Sequence, residues 1–318
     1  MTIAGQSAGA RSVAMMLAIP EARALFRRAI LQSAPLGISA PSRDEEARWT
    51  AMLCDLLGIS GPAALLTLPA EMIVAATTAV LKRAARWAQV EPPFAPTYRE
   101  LRLGSDLFAA LSAGAAAGID VLIGTTREEI GAFFGLDDEM ARADDGAVRA
   151  RLHTLFGDRA DAAYAAYARS RPRGRPIDVL EGALTDAYFR TGSLRFAEIQ
   201  YALGRPAYVY QLDWPSPAYE GRLGACHCLD LPFTFGNPER WSLAPMLRGA
   251  DPVFVAALAR VMRRAWIAFV REGDPNHAEL PEWRSYVPER REMMIFDSQV
   301  RLAVDLAGPW RALWEGLN

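Results

Sequence analysis

Serine at its ordinary pKa is a poor nucleophile, so a chain that uses one must present it on a tight turn and bring a base and a carboxylate to it. Gly5-Gln6-Ser7-Ala8-Gly9 has the G-x-S-x-G spacing of such a turn. A short apolar run, Met1 to Ala4, precedes it, and the Ala- and Met-rich stretch from Ala8 to Ile19 follows with helical pattern as far as Pro20. Strand, turn and helix in that order would lift the Ser7 hydroxyl above the carboxyl edge of a sheet. Gly5 and Gly9 are the two flanking positions expected to need small residues. The N–H of Ala8, at the helix start, would point to the same place and stabilise an oxyanion. Five residues alone would also fit a glycine-rich helix start with no chemistry; the strand before and the helix after weigh against that.

The base must come from His153, His227 or His277, the three histidines of the chain. His153 lies in a helical, partly charged stretch and reads as a solvated surface residue. His277 follows the turn cluster Gly273-Asp274-Pro275-Asn276 and reads as an exposed loop residue. His227 sits in a loop after the β-rich run Ala207 to Leu212, where the order Ser, acid, His would place the base. Its neighbours Cys226 and Cys228 raise the question of a metal. Zinc ligands come as spaced pairs with a second pair elsewhere, and adjacent residues of an extended loop face opposite ways, so no metal is expected. The cysteines read as small packing residues. The acid must follow a strand between Ser7 and His227. Both Glu128 and Glu129 follow the apolar run Ile119 to Gly124, and spacing does not choose between them.

The elements that would hold these residues are legible from pattern. Arg28 to Ser33 and Ile119 to Gly124 read as buried parallel strands, Ala207 to Leu212 and Met293 to Phe296 as later strands. Residues 43 to 90 and 137 to 203 read as helical, the first with starts at Ser42 and Ser60 and breaks at Gly58 and Pro69. The second is interrupted by a loop from Arg171 to Pro176. A long helix is expected from Pro252 to Arg271, stopped by Gly273, and a closing helix from Trp310 to Leu317. Strands alternating with helices predict an α/β fold with a mostly parallel sheet. The 318 residues, 51% hydrophobic and 23% charged, can bury a large core, and a net charge of −2 offers no basic face for nucleic acid. Three cysteines exclude a disulfide scaffold, and no apolar run approaches the roughly 20 residues of a membrane span. As written, with no secretory leader at Met1, the chain is expected to be soluble and cytoplasmic, a leader on an upstream segment being left open. Lys82 is the one lysine among 35 basic residues, a bias expected of a GC-rich bacterial gene.

Three blocks resemble the type B carboxylesterase and cholinesterase family. They are Thr2 to Ala10, Gly124-Thr125-Thr126-Arg127-Glu128-Glu129, and Gly224-Ala225-Cys226-His227 through Leu231-Pro232-Phe233-Thr234-Phe235-Gly236-Asn237. Further matches at Leu25 to Ser33, Asp186-Ala187-Tyr188-Phe189-Arg190 and Gly273 to Asn276 spread the resemblance over the whole chain. It implies the α/β-hydrolase fold, one partial domain over residues 1–318 with helical insertions at roughly 43–115 and 137–203. It also implies a Ser7, Glu129, His227 triad without cofactor, acting on small-molecule esters; it says nothing of oligomeric state. Ser33 matches a family serine close to the triad and is expected to hydrogen-bond within it. Gln6 stands where the family has Glu, which removes a charge beside the nucleophile and disfavours cationic substrates.

The family places its first strands and a Gly-rich oxyanion loop before the nucleophile block, so the resemblance implies a truncated or misplaced start. Ala8 would then be the one oxyanion donor of the chain as written. The strand before Ser7 would be an open apolar edge, and the chain alone would be poorly soluble and weakly active. The function expected is carboxylic-ester hydrolysis. Its rivals are an inactive fragment or interaction domain on the same scaffold, and a lipase or thioesterase specificity.

Overall fold

A computed structural model describes residues 1–98, 106–171, 174–241, 244–306 and 308–315. Parts of the expected loop at 171–176, of the closing helix and of the 43–115 insertion lie outside these residues. The chain divides into two compact units, residues 38–105 and the remainder.

In the larger unit the apolar runs become a six-stranded sheet in sequential order. The strands are β1 (Thr2–Gln6), β2 (Arg28–Gln32), β3 (Asp120–Thr126), β4 (Ala207–Leu212), β5 (Glu292–Phe296) and β6 (Arg301–Val304). The first five run parallel, and β6 closes the far edge antiparallel to β5. Parallel registers such as Gln6↔Gln32 and Gln32↔Gly124 bring the carboxyl ends of β1, β2 and β3 level. The loops that leave these ends therefore meet in one place. β6 is absent from the expected elements: its four residues, exposed at both ends and partly buried between, carry too weak an alternation to read.

Helix α1 (Ala8–Ala18) follows β1 and packs back on β1 and β2. The expected 252–271 helix is present as α8 (Pro252–Glu272), Asp251 capping it through Val253 N and Gly273 ending it at φ 83°. Its Leu258, Met262, Trp266 and Phe269 join Ile30, Tyr210, Phe233 and Phe296 in the main core. The helices α4 (Asp145–Phe156), α5 (Ala160–Arg169) and α6 (Pro176–Thr185) pack together, and α7 (Thr191–Ala202) follows them. α7 lies on β3 and β4. A π-helical turn, Asp186–Arg190, joins α6 to α7. The smaller unit is a pair of helices, α2 (Arg43–Leu57) and α3 (Ala70–Ala84), around Leu53, Ala76 and Val80. Ser42 caps α2 in a capping box with Glu45, as its spacing predicts, and Gly58 ends it in the left-handed region. No helix among the described residues is long and apolar enough to cross a membrane.

Candidate active site

Ser7 occupies the turn between β1 and α1 at φ 56°, a left-handed conformation that a non-glycine residue adopts only under constraint. Backbone bonds hold it there: Ser7 N donates to Gln32 O at 2.9 Å, and Arg11 N to Ser7 O at 3.0 Å. Gly5 is required, since a Cβ there would lie 2.4 Å from the Gly9 carbonyl carbon and oxygen. Gly9 is not required in the same sense. Among the described residues a Cβ at Gly9 would meet nothing within 4 Å, so of the two small residues expected the steric demand is seen at Gly5. The crowding comes from the Gly5 side chain position against the Gly9 backbone. Ala8 opens α1, so its N–H is among the four that have no acceptor within the helix.

The candidate acid, Glu129, and the candidate base, His227, are set side by side by one feature, an isolated parallel bridge between Glu128 and Cys226. Glu128 N donates to Ala225 O at 3.0 Å and His227 N to Glu129 O at 3.3 Å. Side chains alternate along such a bridge, so Glu129 and His227 fall on one side and Glu128 on the other. Glu129 Oε2 lies 2.5 Å from His227 Nδ1, and its Oε1 accepts from Thr126 N at 2.7 Å. His227 Nε2 lies 2.7 Å from Ser7 Oγ and 3.3 Å from Gln6 Nε2. Glu128 instead accepts from Ala225 N at 2.8 Å and pairs with Arg127 at 2.5 Å. The other two histidines stay outside this cluster: His277 Nε2 meets Val261 O at 3.1 Å, and His153 lies in the last turn of α4.

Burial works against the charged form of His227, and the Glu129 carboxylate outweighs it with help from Cys228. The net effect raises the imidazole pKa above its ordinary value. Cys226 is packed into the main core, and burial pushes its thiol up to about 12. Ser33 is buried at φ 50°, its N–H donating to Gly124 O at 2.8 Å. Its hydroxyl has no hydrogen-bond partner among the described residues, contrary to the expected bond within the triad. The backbone at the end of β2 turns the side chain into a sealed site.

Three features of the site were not anticipated. Phe189 and Phe133 place their rings 5.1 Å and 5.5 Å from the His227 ring, and Phe133 is 45% exposed. Asp230, wholly buried, accepts from Gln32 Nε2 and Tyr210 Oη, both at 2.8 Å, and Trp266 Nε1 donates to Gln32 Oε1 at 3.2 Å. This network pins the base loop to β2, β4 and α8. Arg190 reaches the acid loop from the π turn, with Nη2 donating to Arg127 O at 2.8 Å. An acidic residue amid Leu229, Leu231 and Phe233 was the one available signal for Asp230.

A mostly parallel sheet bearing a serine elbow after β1 and helices on its faces defines an α/β-hydrolase. The chain belongs to the carboxylesterase family, whose model matches residues 1–308. It is 36% identical over 311 residues to phenmedipham hydrolase of Pseudarthrobacter oxydans, covering 97% of this chain and 62% of the relative. With para-nitrobenzyl esterase of Bacillus subtilis it shares 32% identity over 313 residues, covering 96% and 60%. Among solved structures, a Geobacillus stearothermophilus carboxylesterase superposes with a TM-score of 0.83 at 32% identity, over 99% of this chain and 64% of that one. The chain thus spans about three fifths of the length of these relatives.

Proposed function

We propose that this site hydrolyses carboxylic esters through an acyl-enzyme on Ser7. The observation that carries the reading is the continuous relay of 2.7 Å from Ser7 to His227 and 2.5 Å from His227 to Glu129. His227 Nε2 takes the Ser7 proton as Oγ attacks the ester carbonyl, and the oxyanion forms beside the Ala8 N–H. The C–O bond breaks with the proton passing from His227 to the departing alcohol. Water, deprotonated by the same nitrogen, then cleaves the acyl-serine and releases the carboxylic acid. Glu129 stays ionised, fixing the tautomer of His227 and stabilising its imidazolium.

The substrate class proposed is an uncharged ester with an aromatic or other apolar group. Phe133 and Phe189 flank His227, and Gln6, a neutral residue, lies beside the nucleophile. Relatives named for phenmedipham and para-nitrobenzyl ester hydrolysis support the same class. The test is labelling by a fluorophosphonate and turnover of p-nitrophenyl esters. Ser7→Ala should abolish both, and labelling that survives the substitution would remove Ser7 as the nucleophile.

A further inference from the structure

The helical run from Pro176 to Ala202 touches the acid and base loops at three points outside the serine relay. Thr185 Oγ1 accepts from Ile130 N at 3.3 Å, and the Phe189 ring stands 5.1 Å from that of His227. Arg190 makes the third contact and the most extensive one. Its Nη2 donates to Arg127 O at 2.8 Å, its Nε donates to Gln211 Oε1 at 3.0 Å, and its Nη1 pairs with Asp186. Asp186 is held in turn by the Tyr167 hydroxyl at 2.6 Å. Both charged residues are buried, Asp186 completely.

A buried ion pair contributes little net stability, because desolvation of the two charges offsets their attraction, and apolar packing would serve a purely structural purpose as well. A guanidinium differs from such packing in offering a rigid fork of donors to several acceptors at once. Here the fork joins β4, through Gln211, to the Arg127 carbonyl just past the end of β3. Thr126, one residue before that carbonyl, supplies the N–H that binds Glu129 Oε1 at 2.7 Å. The π turn sets the direction of the fork. Thr191 closes it with both its N–H and its hydroxyl on Asp186 O, and the extra residue changes the phase of the helix by about 100°.

We infer that Arg190 is a positioning residue for the acid, holding the backbone that orients Glu129 and placing a buried positive charge within electrostatic reach of it. The inference rests on Glu129 as the acid of the proposed mechanism. The ionisable groups around the relay and Arg190 are Glu128, Glu129, Asp186, Asp213 and Asp230 with Cys226, Cys228, Tyr167 and Tyr210, and the cations among them are Arg190, which is buried, and Arg127, which pairs with Glu128.

The chain has only three histidines, so the His227 ring can be followed by NMR in the intact protein, by the downfield Nδ1 proton facing Glu129 and by its titration. Arg190→Gln should move that resonance and shift the titration midpoint, because Glu129, the partner that favours the imidazolium, is no longer held in place. Arg190→Lys keeps the charge but not the fork, so the resonance should stay displaced. In the ester assay Arg190→Gln should lower kcat about 10²-fold with little change in KM. Combination with Glu129→Gln should add little further loss. An unmoved resonance and midpoint, with only the melting temperature lowered, would overturn the inference and leave Arg190 a packing residue. If Arg190→Gln does not fold, Arg190→Lys decides alone: a displaced resonance supports the role, an undisplaced one refutes it. If Glu129→Gln leaves the resonance in place, the assignment of the acid fails first, which distinguishes the two outcomes.

Discussion

Glu129 and His227 follow β3 and β4, each paired with a strand on both sides, whereas Ser7 follows β1, whose partner among the described residues is β2. β3, which leads to Glu129, is buried along six of its seven residues, and β1, which leads to Ser7, has no buried residue. The acid and base loops are tied by a strand bridge, by Arg190, by Thr185 and by the Asp230 network. Among the described residues the elbow's sheet bonds run to β2, and backbone bonds fix the geometry of its turn. The same relay is thus fixed by side-chain networks on one side and by local backbone conformation on the other. Substitutions that break the first should act through charge and proton position, and those that break the second through steric displacement.

The sharpest test of the buried side compares the two adjacent carboxylates. Glu129→Gln should lower kcat by about 10⁴-fold, through loss of the tautomer and of imidazolium stabilisation, as measured with p-nitrophenyl esters. Glu128→Gln, whose partners are Ala225 N and Arg127, should cost less than about tenfold. Equal losses would mean that both carboxylates reach the base. On the elbow side, Gly5→Ala should reduce kcat/KM by about 10²-fold as its Cβ pushes the Gly9 backbone away, while Gly9→Ala should leave turnover near that of the parent chain. Loss of activity in Gly9→Ala alone would show that the turn tightens during reaction.

A smaller effect is expected from pH. The pKa of His227 is raised, and the proposed mechanism uses its neutral imidazole as the base, so kcat/KM should climb with pH along a limb centred above the ordinary imidazole value of about 6.5. Glu129→Gln should bring that limb to lower pH by removing the partner that favours the imidazolium. A limb at or below the ordinary value in the parent chain would mean that burial, and not Glu129, dominates His227. The smallest change is predicted for Ser33→Ala. Its hydroxyl is buried without a partner among the described residues, so removal should shift the melting temperature upward or not at all and leave kcat within a few-fold. A large loss of kcat would place a water-mediated role at that hydroxyl.

What the sequence determined by itself is the set of local decisions. A G-x-S-x-G turn needs only residues 1 to 19 to be read, because strand, tight turn and helix are neighbours along the chain. The interior strands were legible as uninterrupted apolar runs, and the ends of α2 and α8 through Ser42, Gly58 and Gly273, since burial and caps act within a few residues. Spacing left Glu128 and Glu129 equivalent, and only the resemblance to a family separated them. In the structure the separation comes from the bridge to Cys226, a contact across 98 residues that sends alternate side chains to opposite sides. Asp230, Phe133, Phe189 and Arg190 were missed for the same reason. Each owes its place to a register, a π turn or a buried network, which are long-range pairings with no trace in local pattern. Hydrophobic periodicity records which side of an element is buried, but which side chain meets which is decided only when the strands are laid side by side.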